Sequence, residues 1–103
     1  MTLAQFAALL KTAGYPVALG HFPTTAPQTP PYVVYITPQA DNFAADNRVY
    51  YSTPLVQVEL YTANKDLTAE GKVETALSSF FWTKNEGDLP EEHLHMVTYQ
   101  LTL

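Results

Sequence analysis

The chain has 103 residues, 47% of them hydrophobic and 13% aromatic, which favours one folded domain over residues 1–103 and excludes an intrinsically disordered chain. The formal net charge is −5 and the five basic residues are scattered, so no basic face for sequence-specific nucleic-acid binding is expected. The chain has no cysteine, which excludes disulfides, thiolate metal sites and cysteine nucleophiles, and no apolar run approaches the roughly 20 residues that span a membrane.

The N-terminal segment has the pattern of an amphipathic helix. Thr2 and Gln5 have the spacing of a capping box, and Gly14 and Pro16 are typical of a helix end. One face of this helix would carry Leu3, Phe6, Ala7 and Leu10. We therefore predict a helix over residues 3–13, and we expect no signal peptide, because no basic segment precedes an apolar one.

Strand patterns follow the first helix. Residues 17–22 are predicted as a short strand and residues 23–31 as an extended loop, because four of those nine residues are proline. Residues 32–36 are rich in β-branched and aromatic side chains, which favours a second strand.

The middle of the chain combines a polar loop with two further strand patterns. Residues 39–47 are turn-rich, and residues 48–53 have the composition of a strand. Residues 55–61 alternate, with Val58 on one face and Glu59 on the other. Residues 48–53 and the alternating run form either two strands or one bent strand.

A second helix is predicted to begin near Asp66 or Thr68. Its apolar stripe would comprise Leu67, Ala69 or Glu70, Val73, Leu77 and Phe80. Gly71 lowers the helical propensity by about 1 kcal/mol relative to alanine.

The C-terminal quarter predicts two more strands. Residues 81–84 form the first, residues 85–88 a turn, and residues 90–92 a loop. Residues 94–103 have the clearest alternation in the chain. The predicted order is α-β-β-β-β-α-β-β, an α+β fold with two helices packed on one face of a mostly antiparallel sheet.

The histidines offer one candidate metal site. His93 and His95 are two residues apart, so on a strand both side chains would point to the same face, with His21 as a third candidate ligand. The pair has no cysteine or carboxylate at a recognised motif spacing, which favours the alternative that both histidines lie on a solvent-exposed strand face.

The carboxylates do not form a recognisable catalytic constellation. Asp41 and Asp46 share one polar loop, and Glu91 and Glu92 share another. No nucleophile elbow, phosphate-binding loop or dinucleotide motif is present in the sequence. We expect a protein that is not an enzyme and binds no cofactor.

One loop has the composition of a contact surface. Asp41 to Tyr50 combines turn-forming residues with aromatic residues and an arginine. Tyrosine and arginine are enriched at the energetically important positions of interfaces. The candidate interaction residues are Phe43, Asp46, Asn47, Arg48, Tyr50 and Tyr51. A structured hairpin connection explains the same composition, and the two interpretations are compatible.

The order of these segments resembles a family of small proteins encoded in phage and prophage morphogenesis clusters. The resemblance rests on the helix with Leu3, Phe6 and Leu10-Lys11, the Pro31-Tyr-Val-Val-Tyr35 strand, and the runs Phe43-Ala-Ala-Asp-Asn-Arg-Val-Tyr50 and Val58-Glu-Leu-Tyr-Thr62. Lys65-Asp66 before the second helix and Phe81-Trp82 extend it over nearly the whole chain.

This family is similar to tail-completion, or tail-terminator, proteins of long-tailed bacteriophages. The resemblance implies a structural subunit at the head–tail junction of the virion, made in the cytoplasm of the bacterial host. Such subunits form a ring, often hexameric, that contacts the tail-tube protein and the head connector. The family offers no catalytic residue. A ring requires two different patches on each subunit, for which residues 23–31 and 40–48 are candidates.

Three alternatives remain open from the sequence. The first is another head–tail connector, adaptor or tail-assembly protein. The second is a small metal-binding module that uses His93 and His95. The third is a regulatory binding domain of the host, for which no residue pattern argues.

Overall fold

The computed structural model describes residues 1–37 and 55–103. The predicted strand over residues 48–53 and the polar loop over residues 39–47 lie outside these ranges. Within them, the chain forms α1 (Leu3–Lys11), β1 (Val17–Leu19), β2 (Tyr32–Ile36), β3 (Leu55–Thr62), α2 (Leu67–Ala76), β4 (Thr83–Leu89) and β5 (Leu94–Thr102). A single 3-10 turn, Pro90–Glu92, joins β4 to β5.

The strands form one five-stranded sheet in the order β1-β2-β3-β5-β4. β1 runs parallel to β2, and the other three pairings are antiparallel. In the part of the chain that the structure describes, β2, β3 and β5 occupy interior positions, while β1 and β4 are the edges. The prediction of an α+β fold with a mostly antiparallel sheet is confirmed.

Both helices pack on the same face of the sheet. Phe6 of α1 contacts Tyr35 of β2 and Phe80 after α2, with ring centroids 6.1 and 5.7 Å apart in edge-on geometry. On the same side Trp82 packs edge-on against Tyr99 at 5.2 Å. The largest fully buried side chains belong to this layer: Tyr99, Phe6, Leu10, Leu60, Leu77, Val33, Val56, Val58, Val73 and Val97. Burial of this apolar surface is the main favourable term for the fold.

Local capping fixes where the helices begin. The Thr2 hydroxyl accepts from the Gln5 backbone N–H at 3.1 Å, and the Gln5 side chain accepts from the Thr2 backbone N–H at 2.9 Å, which confirms the capping box. α1 ends at Lys11, two residues before the predicted end, because the chain turns through Gly14 at φ +93°. The Asp66 side chain caps α2 by accepting from the Ala69 N–H at 3.0 Å.

The region after α2 differs from the prediction. Strand β4 begins at Thr83, so Phe81 and Trp82 precede it, and the residues predicted as a turn, 85–88, lie within the strand. They pair with residues 95–98 of β5. The turn composition is accommodated because β4 is an edge strand, where charged and small residues are common.

Two further predictions change in detail. β1 ends at Leu19 rather than residue 22, because Gly20 adopts φ +82° and Pro23 follows. Leu67 was expected on the buried stripe of α2, but it lies on the first turn and is 72% exposed. Ala69, Glu70, Val73 and Leu77 form the buried stripe.

Candidate functional site

A buried carboxylate on α2 is the centre of an ion-pair network on the helix-covered side. The Glu70 side chain is only 3% exposed, and its oxygens lie 2.9 Å from Lys65 Nζ and 2.8 Å from Lys84 Nζ. Burial opposes its ionisation, and hydrogen bonds from Lys84 and Lys65 outweigh burial, so its pKa is lowered. Glu70 is therefore held as a carboxylate between two ammonium groups.

Each lysine bridges Glu70 to a second carboxylate. Lys65 Nζ lies 2.6 Å from Glu86 on β4, and Lys84 Nζ lies 2.7 Å from Glu74 on α2. The buried Tyr99 hydroxyl donates to Glu74 at 2.8 Å. These contacts join α2 to β4 and β5.

His95 extends the same network along β4. Its Nδ1 lies 2.7 Å from Asp88 Oδ1, and its Nε2 lies 3.0 Å from Glu86 Oε1. The hydrogen bond to Asp88 raises the pKa of His95, burial opposes it, and the hydrogen bond to Glu86 adds to the increase. An imidazole that faces carboxylates with both nitrogens is best satisfied as the cation.

The histidines do not lie as the sequence predicted. His93 sits in the turn before β5 with φ 56°, so the two side chains do not share a strand face. His95 is buried on the helix-covered side, so the alternative of a solvent-exposed position is wrong for it. His21 is exposed in the loop after β1, outside this network.

Three potential metal ligands nevertheless converge. One ligand atom each of Glu70, Glu86 and His95 lies within 4.8 Å of the others. The Lys65 ammonium already binds both carboxylates, and Lys84 binds Glu70 again. Ammonium groups of the same chain thus already pair with both carboxylates of this set.

The groove between the helices offers no catalytic set. It lies between the end of α1 and one side of α2, and its lining residues are Thr12, Ala13, Leu67, Thr68, Gly71, Lys72 and Thr75. None of these is a histidine or a carboxylate that could act as a base. The Glu91 and Glu92 pair lies in the exposed 3-10 turn.

The opposite side of the sheet points away from both helices, and we call it the open face. Strand register places on it Tyr32, Val34 and Ile36 of β2, Leu55, Gln57, Glu59 and Tyr61 of β3, and Met96, Thr98 and Gln100 of β5. Along β3 the open-face residues are half-buried and the alternate residues are buried, as expected for a sheet with one covered face.

A continuous row of side chains crosses the open face. Gln100 donates to Gln57 at 3.1 Å, and Gln57 donates to Glu59 at 2.8 Å. Tyr61 also donates to Glu59, at 2.7 Å, and its ring stacks on Tyr32 with centroids 5.0 Å apart. Both oxygens of the Glu59 side chain therefore accept from uncharged donors.

The aromatic end of this row continues into the loop after β1. Phe22 packs edge-on against Tyr32 at 5.5 Å. Burial and then the charge of Glu92 raise the pKa of the Tyr32 hydroxyl. Burial raises the pKa of Tyr61 as well, followed by the hydrogen bond to Glu59. The Glu59 carboxylate thus lies beside a cluster of three rings, Phe22, Tyr32 and Tyr61.

Several apolar side chains project from the described surface. Phe81 is 94% exposed, and Leu19 at the end of β1 is 57% exposed. With Leu67 on α2, they are candidates for contacts with other molecules, because exposed apolar groups cost free energy that association recovers.

The predicted interaction residues Phe43, Asp46, Asn47, Arg48, Tyr50 and Tyr51 lie outside the described residues. The open-face row was not predicted as a site, although the alternation of residues 55–61 placed Gln57 and Glu59 together. The stacking of Tyr61 on Tyr32 depends on a strand register that the sequence does not specify.

Comparisons with protein-family models, with curated proteins and with solved structures gave no match. Among the described residues, no helix is long and apolar enough to cross a membrane.

Proposed function

We propose that this chain is a structural subunit of bacteriophage morphogenesis that completes the tail at the head–tail junction. It would act through ring-like self-assembly and through contacts with the tail-tube protein and the head connector, without catalysis. The observation that carries this proposal is the open face, a sheet surface that neither helix covers.

The chemistry of the described residues supports an assembly role. Glu70 and Glu86 bind lysines of the same chain, and His95 contacts carboxylates of β4. Phe81 and Leu67 are exposed and could add apolar contacts with a neighbouring molecule. Within residues 1–37 and 55–103, neither helix packs on the open face, which favours this face for contact with a neighbour.

The test is the mass of the protein in solution over a concentration series, by light scattering after size exclusion. The same measurement is made with purified tail tubes from the same phage or prophage. We expect a ring-sized species, or a monomer that becomes ring-sized on the tubes. Electron microscopy of the tubes should then show added density at one end.

The control is the same chain with serum albumin in place of tubes, which should leave the mass unchanged. A monomer at every concentration that does not bind tubes would contradict the proposal. Binding to head connectors but not to tubes would instead favour a head-side connector or adaptor.

A further inference from the structure

The lysines of the described residues all lie on one side of the sheet. Lys65 and Lys84 bind carboxylates on the helix-covered side. Lys72 lies over the Tyr15 ring, 5.6 Å from its centroid, and Lys11 is in the last turn of α1. All four lysines of the described residues therefore belong to the helix layer or to its contacts.

The open face carries the acidic side chain of Glu59 and, among the described residues, no lysine. Glu59 accepts hydrogen bonds only from Gln57 and Tyr61 within the described ranges, and no lysine there lies within ion-pair distance of it. Its charge is thus positioned by neutral donors and is not neutralised by them. The charge of Glu92 contributes to the raised pKa values of Tyr32 and Tyr61, after burial of these side chains.

Stacked tyrosines beside carboxylates suit a cationic side chain. A guanidinium or ammonium group is attracted to the ring faces and to the carboxylate together. The hydrogen bonds from Gln57 and Tyr61 hold the Glu59 carboxylate in place. Little side-chain entropy would then be lost when a partner binds.

We propose that the open face is the docking surface for a lysine- or arginine-bearing extended segment of a partner protein. Cationic side chains of that segment contact Glu59, and their stems lie over Tyr32 and Tyr61. This inference deepens the proposed function and rests on it for the kind of partner, a neighbouring virion protein.

The probe is a short synthetic peptide of alternating arginine and threonine, compared with lysine–threonine and glutamate–threonine peptides of the same length. Binding to the full chain is followed by backbone amide NMR shifts. We expect the two basic peptides to shift amides of β2, β3 and β5 more than those of α1, and the acidic peptide to leave them unchanged. Added salt should weaken the binding.

Glu59→Gln and Asp88→Asn form a matched pair of variants. Each removes one negative charge from the sheet, on the open face and on the helix-covered side respectively. Glu59→Gln should weaken binding of the arginine peptide by about threefold, whereas Asp88→Asn should leave it nearly unchanged. Far-ultraviolet circular dichroism checks that both variants fold. If either variant does not fold, the salt dependence of peptide binding to the unmodified chain still tests the inference.

Equal weakening by the two variants would overturn the inference, because it would indicate general attraction to an acidic protein. Shifts confined to other surfaces, or no shifts, would also overturn it. Amide shifts of β3 that depend on protein concentration without peptide would overturn it as well, because they would identify the open face as a contact between copies of this chain. If the protein binds tubes but not the peptides, the docking surface is rejected and the proposed function stands. If it binds the basic peptides but not tubes, the proposed function is rejected and the docking surface stands.

Discussion

At the scale of single residues, burial and neighbours change what a side chain does. The spacing of His93 and His95 makes His95 a candidate metal ligand, yet each of its ring nitrogens faces a carboxylate of β4. Two residues earlier, His93 lies in a turn with no such partner among the described residues. The spacing of the two histidines therefore did not predict their environment.

The raised pKa of His95 predicts a pH-dependent stability. A group with a higher pKa in the folded state stabilises the fold below its unfolded pKa, about 6.5, and this stabilisation is lost as the pH rises through the folded pKa. We expect the free energy of unfolding to fall above pH 6.5 in the unmodified chain. Urea unfolding over a pH series measures it.

His95→Gln is the control for this effect. Its free energy of unfolding should change less with pH in that window, because no group titrates at position 95. The lowered pKa of Glu86 acts at acid pH, where its stabilisation is lost as the pH falls, so the two effects separate. Equal slopes in the two proteins above pH 6.5 would contradict the prediction.

Two adjacent phenylalanines provide a matched test of burial. Phe80 packs against Phe6, whereas Phe81 is 94% exposed. Phe80→Ser should lower the free energy of unfolding by about 2 kcal/mol or more, and Phe81→Ser should change it by less than about 0.5 kcal/mol. Urea denaturation of both variants measures the difference.

The same pair separates stability from association. If Phe81 contacts another subunit, Phe81→Ser should reduce the assembled mass in light scattering while the monomer keeps its unfolding midpoint. A loss of stability in Phe81→Ser as large as in Phe80→Ser would show that the ring is packed within its own chain.

At the scale of elements, α2 could be made more stable at Gly71. A Cβ at this position would have no heavy atom within 4 Å, and its backbone is helical. Gly71→Ala should raise the free energy of unfolding by about 0.5–1 kcal/mol, because alanine loses less backbone entropy in a helix. Thermal and urea unfolding measure the gain.

Gly20 is the control for that substitution. It also has open space around it, but its φ of +82° is strained for any residue with a side chain. Gly20→Ala should therefore destabilise the chain. Gains at both positions would show that backbone conformation does not decide the outcome.

The elements were predictable where the pattern was local. The capping box, the alternation of β3 and the strand over residues 32–36 are present as expected. The bounds of β4 were not predicted, because its turn-forming residues are held in a strand by pairing with β5. Glu70 was offered as an alternative to Ala69 on the buried stripe. Its burial depends on Lys84, which lies 14 residues away in sequence.

At the scale of the whole molecule, the sequence predicted the α+β class but not the order of the strands. That order decides the candidate sites, since it brings Tyr32 beside Tyr61 and Glu86 beside His95. It also separates the described lysines from the open face. A pattern of single residues cannot report this, because each pairing joins segments distant in the chain.

The position of β5 has a consequence for synthesis on the ribosome. β4 precedes β5 in the chain but touches the sheet only through it, because the order is β1-β2-β3-β5-β4. While the polypeptide emerges, β4 has no strand to pair with, and one side of β3 stays unpaired until residues 94–102 leave the exit tunnel. The sheet therefore closes only after β5 has been made, because both β3 and β4 pair with it.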